Sequence, residues 1–447
     1  MPMSLHSISP IDGRYAGKSK DLSKYFSEYA LIKYRVFIEV QYLIALRDFG
    51  IPALSFSGND LFSSLHEWAI QFGQEEALKV KEIEKVTNHD VKAVEYLIKE
   101  KIIELGGESI VEYVHFGLTS QDINNTAFPL MIRDALFERI LPEVYALISS
   151  FKEMSSLYHG IPMLSRTHGQ PATPTSLGKE IDVFIERLDT QVKLLKSLPF
   201  EAKFGGASGN LNAHKVAFPD RDWVAFSNQF VNHYLDLNRL QKTTQIAHYD
   251  GLANIFDSLS RISTILIDFC RDMWSYVSME YFIQQPIAGE IGSSAMPHKI
   301  NPIDFENAEG NLGLAIAIFN HLSNKLPVSR LQRDLTDSTV LRNAGVPIAH
   351  LYISIIAIKK GVNKLSLNER KLKEDLNNNW IVLAEAIQTI LRREGYPNPY
   401  EVLKDLTRGS REMDKATIHS FISGLSLSDE VKEELLALTP FNYTGYH

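Results

Sequence analysis

Apolar residues in this chain recur in steps of three and four. The clearest run is Leu252, Ile255, Phe256, Leu259, Ile262, Leu266, Phe269, Met273 and Val277. It keeps one face apolar for about seven turns and predicts a long amphipathic helix with a near-heptad seam, roughly 40 Å in length. Similar patterns occupy about 128–158, 176–198, 303–325 and 336–362. Alternating apolar–polar segments bounded by hairpin turns are scarce. Long helices gathered in one stretch of chain predict an all-α bundle. Several are apolar on more than one face, for example "IAHLYISIIAI" at 348–358. The spare apolar surface predicts packing against helices of other subunits, with a thick monomeric core as the alternative. Shorter, more polar helical patterns precede and follow the bundle. We therefore expect an N-terminal helical domain over 1–113, a central long-helix domain over 114–362 and a small C-terminal helical domain over 363–447.

Composition narrows the class. The 447 residues are 45% hydrophobic and 22% charged, enough for a large core. The formal net charge is −8, from 46 Lys+Arg against 54 Asp+Glu. No broad basic surface for nucleic acid is expected, so an anionic ligand must be held by a local cationic cluster. Cys270 is the single cysteine. It sits in "ILIDFCRDMW" and reads as a buried small hydrophobe, with no intramolecular disulfide to form. The start, "MPMSLHSISPIDGRY", has no apolar core of signal-peptide type, and no apolar run reaches the roughly 20 residues of a bilayer span. The expectation is a soluble, cytoplasmic protein with no membrane partner.

Five stretches gather polar chemistry. "GEIGSSAMPHKINPIDFENAEGN" at 289–311 delivers a glycine-containing loop to a helix start, with Asn301 as N-cap and Pro302 at the first helical position. Such an end favours negative charge, and Lys299 stands beside it. A plain surface loop would explain the glycines but not the gathering of Ser, His, Lys and Asn. "SRTHGQPATPTSLGKE" at 165–180 sets His168 in a loop where it can titrate near neutral pH; a structural histidine is an equal reading. In "EKVTNHDVKAVEYLIKEK" at 84–101, Thr87 or Asn88 would cap a helix with His89 and Asp90 in its first turn. In "HFGLTSQDINNT" at 115–126, Thr119 and Ser120 begin a helix, to bind an anion or to cap. In "SRLQRDLTDSTVLRN" at 329–343, Ser338 and Arg342 share a helix face with Arg333 upstream, a set suited to phosphate or carboxylate. Surface ion pairing with Asp334 and Asp337 competes with that reading. Zinc spacings, a Walker loop, a dinucleotide fingerprint and a nucleophile elbow are not found in the sequence.

These motifs together resemble a known family. "GSSAMPHKINP" (292–302) is similar to the signature loop of the fumarase/aspartase superfamily. "DGRY", "TNHDVKAVEY", "SRTHGQPATP" and "RDLTDSTVLRN", in that order, resemble the adenylosuccinate lyase branch, and "KINPIDFENAEGNLGL" its form common in bacteria. The resemblance runs from about residue 8 to about 443. It implies a three-domain all-α fold with a central long-helix bundle completed by tetramerisation, and active sites composed from different subunits of a homotetramer. It implies elimination of fumarate from adenylosuccinate, giving AMP, and from succinylaminoimidazole carboxamide ribotide (SAICAR), giving AICAR, with no cofactor and no metal. By the same match Ser293 is the base and His168 the acid, Lys299 supports the serine alkoxide, and His89 contacts phosphate or assists the acid. Asn88, Asp90, Thr119, Ser120, Ser294 and Asn301 match substrate-contacting positions, and Arg14, Tyr15, Gln245, Asn307, Arg333, Ser338 and Arg342 match nucleotide-binding ones.

Two departures stand out. The family often carries an acid after the Thr-Ser pair, where this chain has Gln121. The family pattern also leads us to expect a further short stretch beyond "NYTGYH". The alternatives are another fumarate-releasing lyase, such as argininosuccinate lyase, or a non-catalytic relative. The first needs no phosphate site; the second should have lost Ser293, His168 or Lys299, and all three are present.

Overall fold

The computed structural model describes residues 5–55, 59–286, 289, 296, 299–409 and 413–446. The protein is all-α. In chain order the principal helices are α1 (Glu28–Asp48), α2 (Asn59–Gln71), α3 (Gln74–Thr87), α4 (Asp90–Glu104), α5 (Ser120–Ala135), α6 (Leu141–Leu157), α7 (Leu177–Ser197), α8 (Asp250–Ser278), α9 (Ile303–Lys325), α10 (Thr336–Leu341) and α11 (Gly345–Val362). The C-terminal segment adds α12 (Glu369–Asn377), α13 (Ala384–Arg393), α14 (Pro399–Gly409), α15 (Lys415–Ser423) and α16 (Asp429–Leu436). Among the described residues, strands are confined to short two-stranded pairs, of which β1 (Pro162–Thr167) with β2 (Gln170–Ser176) is the longest.

The predicted seam is the buried face of α8. Every seam residue from Leu252 to Met273 is at most 4% exposed, and Val277 is half-buried. Cys270 lies on that helix with a free, buried thiol, and burial pushes its pKa up. The 128–158 pattern is two helices joined by a π turn at Leu136–Ile140, and it begins earlier, at Ser120, because Pro129 is accommodated inside α5. The 336–362 pattern is broken after Leu341. The amides of Asn343, Ala344 and Val346 each bond to the carbonyl three residues back, so the chain tightens before α11 resumes. The stretch 336–362 is long and apolar enough to cross a bilayer, against the sequence expectation. Yet 72% of its most apolar window is buried inside the fold, as in a core helix.

The chain divides into two compact units. One comprises residues 1–144, 191–264 and 310–356; the other comprises 145–190, 265–309 and 357–447. In the first, α1 packs against α2, α4 and α5. Helix α5 is buried almost all round, and its buried residues include Gln121, Asp122, Asn124, Asn125 and Thr126. Buried polar groups must find partners, so this helix organises the polar interior of the unit. In the second unit, Phe151 stacks on Phe269 at 4.1 Å, and α13, α15 and α16 enclose Trp380, Leu383, Ile387, Ile418 and Leu435.

Candidate active site

The cationic part of the site is in the first unit. Asn88 takes a left-handed φ of 50° and closes α3, and His89 caps α4, its Nδ1 accepting the Lys92 N–H at 3.1 Å. The cap is therefore one or two residues later than Thr87 or Asn88, and His89 stands before the first turn instead of inside it. The short left-handed reversal leaves no room for another capping residue. An accepting Nδ1 assigns the ring proton to Nε2, on an exposed imidazole. Next along, Asp90 Oδ2 accepts from Arg35 Nη2 at 2.7 Å and from Arg342 Nη2 at 2.6 Å. Partial burial opposes its charge, but the two guanidiniums outweigh this and hold the carboxyl well below the usual carboxylate range. Arg35 is 1% exposed and also donates from Nε to Asn124 Oδ1 at 3.0 Å.

The start of α5 is built around a buried ion pair. Asp122 accepts the Thr119 N–H at 2.8 Å, so the backbone is capped from within the helix. The same carboxylate accepts Lys203 Nζ at 2.7 Å and the Gly205 N–H at 2.8 Å, and Lys203 and Asp122 are both fully buried. Burial lowers the Lys203 pKa, against the attraction of Asp122. The preceding loop is held by Tyr42, whose hydroxyl donates to the Phe116 carbonyl at 2.7 Å and lies 2.8 Å from His214 Nε2. Burial holds the His214 pKa down at about 4, so the ring is neutral. A side chain at Gly117 would place its Cβ 2.7 Å from His214 Cε1, and Gly117 also has φ +70°; glycine is required there.

Gln245, Arg333, Ser338 and Arg342 complete this part. Arg333 Nη1 donates to Gln245 Oε1 at 3.1 Å, and Gln245 Nε2 donates to the Ala207 carbonyl at 3.1 Å. Gln121 Nε2 donates to Ser338 Oγ at 3.2 Å. Of the competing ion pairs, Asp334 makes one, with Arg330 at 3.8 Å, and not with Arg333 or Arg342. Asp337 is buried and accepts from Tyr249 OH at 2.8 Å, while Asp334 accepts the Thr336 N–H at 2.9 Å. Arg342 turns instead to Asp90, with Glu28 at 3.6 Å. Arg14 is exposed in the turn before the helix Ala16–Ser19, and Tyr15, half-buried, is the residue preceding that helix.

His168 belongs to the second unit. It is not in an irregular loop: Thr167 pairs with Gln170, so His168 and Gly169 form a two-residue hairpin turn, with φ of 54° and 75°. Two successive positive φ values match the twist of the flanking strands. The turn carries His168 exposed at the tip of the ribbon. Below it, Arg166 Nη2 donates to Asp375 Oδ2 at 3.0 Å, Tyr281 OH donates to the same carboxylate at 2.8 Å, and Leu164 packs with Leu376 and Val382. Lys299 is exposed, and Asn301 and Asn307 are partly buried beside and on α9. The first residue of α9 is Ile303, one later than expected, so Pro302 and not Asn301 precedes the helix; the Pro302 carbonyl is its first acceptor, bonding to the Glu306 N–H at 3.3 Å. Of the first-turn acids, Asp304 pairs with Lys364 at 2.7 Å and Glu306 accepts from Trp274 Nε1 at 3.0 Å. Ser293 and Ser294 lie outside the described residues.

A family model described as "Lyase" matches residues 13–316, and one described as "Adenylosuccinate lyase C-terminal" matches residues 329–444. The chain is 55% identical to an adenylosuccinate lyase of Dictyostelium discoideum, covering 99% of this chain and 97% of that one. It is 49% identical to that of Escherichia coli K12 with the same coverage. The chain belongs to the adenylosuccinate lyase family. Its fold is shared more widely. The solved 3-carboxy-cis,cis-muconate lactonizing enzyme from Pseudomonas putida has a TM-score of 0.75 at 20% identity, covering 95% of this chain and 94% of that one. Fumarate lyase from Mesorhizobium sp. BNC1 has a TM-score of 0.76 at 18% identity, covering 95% of each chain.

For a member of this family, motif reading missed the supports. Arg35 lies in the apolar pattern of α1 and belongs to none of the five stretches, yet it is buried. Lys203 gave no signal, because its partner is distant in sequence. His115 opens the stretch 115–126, four residues before the Thr119-Ser120 pair. Its Nδ1 lies 2.5 Å from Glu39 Oε1 and its Nε2 3.8 Å from Glu95 Oε1. Burial opposes protonation, but the two carboxylates outweigh it and raise the pKa. A non-glycine residue at φ 60° just before the Thr-Ser pair was the available clue, and it needs a structure to be seen.

Proposed function

We propose that the protein is an adenylosuccinate lyase that eliminates fumarate from adenylosuccinate and from SAICAR. The observation that carries this reading over other fumarate-releasing lyases is the preorganised cationic set in the first unit. Arg342 is pinned by Asp90, Arg333 by Gln245, and Ser338 receives a hydrogen bond from Gln121. Pinned guanidiniums bind phosphate without first losing side-chain entropy. The half-exposed Thr119 and Ser120 hydroxyls stand at the opening of α5, an end suited to a carboxylate.

The chemistry breaks one C–H and one C–N bond and forms the C=C bond of fumarate. Ser293 takes the proton from the carbon next to a succinyl carboxylate, and His168 protonates the departing nitrogen. Between the steps, charge spreads into an aci-carboxylate, and fixed donors and cations stabilise it. A serine acts as base only when its alkoxide is stabilised, and Lys299 is the cation for that role. The enzyme works as a cytoplasmic homotetramer with active sites composed from different subunits, as the family resemblance implies; the apolar stretch 348–358 is itself buried within the single chain and so fits the thick-core alternative.

The test is a spectrophotometric assay of the purified protein with adenylosuccinate and, separately, argininosuccinate. Turnover of adenylosuccinate is expected; turnover of argininosuccinate alone overturns the reading.

A further inference from the structure

Gln121 stands where the family often has an acid, and the structure gives it a function. It is 1% exposed, and so is Asn125, its neighbour one turn along α5. A chain of hydrogen bonds through these two amides has a direction fixed at one end. The backbone N–H of Ala247 can only donate, and it donates to Asn125 Oδ1 at 2.6 Å. The other end of the Asn125 amide is therefore its NH2, which donates to Gln121 Oε1 at 3.0 Å and to Tyr249 OH at 2.7 Å. Tyr249 passes its own proton to Asp337 Oδ2 at 2.8 Å, consistent with the same direction. With Oε1 occupied as acceptor, the Gln121 amide presents its NH2 to Ser338 Oγ at 3.2 Å. Ser338 must accept there, so its own hydroxyl proton is left for another acceptor.

We propose that Gln121 is a positioning residue that makes Ser338 a hydrogen-bond donor to the anionic group of the ligand. An acid at position 121 would do the opposite. Its second oxygen can only accept, so it would take the Ser338 proton and leave a lone pair facing the anion. The proposal rests on the phosphate role given above to Ser338 and Arg342, and it adds the residue that sets the polarity of that contact. Gln121 acts through Ser338, without touching the ligand.

The experiment compares wild type, Q121E, Q121M, S338A and the doubles Q121E/S338A and Q121M/S338A. Binding of inorganic phosphate is followed by 31P NMR titration, with thermal unfolding measured alongside. A hydrogen bond to a charged group is worth about tenfold or more in affinity. Q121E should therefore weaken phosphate binding by about tenfold, and most of that loss should vanish in the S338A background. Q121M carries no charge and nearly the same volume; it should give a smaller loss that also vanishes in S338A, and it serves if a buried carboxylate prevents folding. Equal losses with and without the serine hydroxyl would overturn the proposal, since they would mean charge repulsion or general damage. So would a wild type that does not bind phosphate at all. Turnover of adenylosuccinate by wild type is a separate readout. Its failure removes the proposed activity, and additivity between positions 121 and 338 removes the relay.

Discussion

Asp90 holds two guanidiniums on one carboxylate oxygen, one from the fully buried Arg35 and one from Arg342. Removing its charge leaves Arg35 buried without a counter-ion, and breaking a buried pair from one side costs about 3–5 kcal/mol. Asp90→Asn should lose about 3 kcal/mol by urea unfolding at pH 7 and should bind phosphate more weakly as Arg342 comes loose. The pH dependence has a definite sign. The folded pKa is depressed, so the stabilisation is present above the unfolded value of about 3.9 and is lost as pH falls toward the folded pKa. Wild-type stability should drop below about pH 4, and Asp90→Asn should remove part of that slope; an unchanged slope would show that Asp90 is not the group. At this scale the sequence was legible in part. His89, Asp90 and Arg342 carry chemistry that motif and resemblance found. Their mutual contacts were not legible, because Asp90 and Arg342 meet across 252 positions. His89 as a cap was missed because histidine is not among the usual capping residues.

At the scale of elements, α5 is the member on which most of the polar interior converges. Its first turn is fixed by Asp122, which ties Thr119 and the backbone at Gly205 and Gly206 to Lys203. Lys203→Met leaves a buried carboxylate short of its cation and should cost about 3–5 kcal/mol, whereas the double change Lys203→Met with Asp122→Leu should cost less than the two single changes summed. Additive losses in that cycle would mean the pair is not coupled. The long helices themselves were readable, since α8 and α9 follow their apolar seams closely. The β1–β2 hairpin was not. Pro171 and Pro174 and the polar run around His168 argue against strands, yet Arg166 pairs with Pro171 on a two-stranded ribbon whose anchors, Asp375 and Leu376, come from α12.

At the scale of the whole molecule, the apolar period was enough for fold class, and five short motifs were enough for family. The site was harder to read. Its nucleotide-side residues other than Asn307 fall in one compact unit, while His168, Lys299, Asn301 and Asn307 fall in the other. That complete sites are assembled from different subunits is a proposal, and no local pattern in one sequence encodes such an assembly. The most direct test mixes two inactive proteins, Ser293→Ala and His168→Ala, and assays adenylosuccinate turnover after subunit exchange. Each variant alone should be slower by at least the roughly 10²–10⁴-fold typical of a general acid or base. The account predicts that the mixture regains activity, because some sites then receive both an intact Ser293 and an intact His168. No recovery, with exchange verified by labelled subunits, would contradict it.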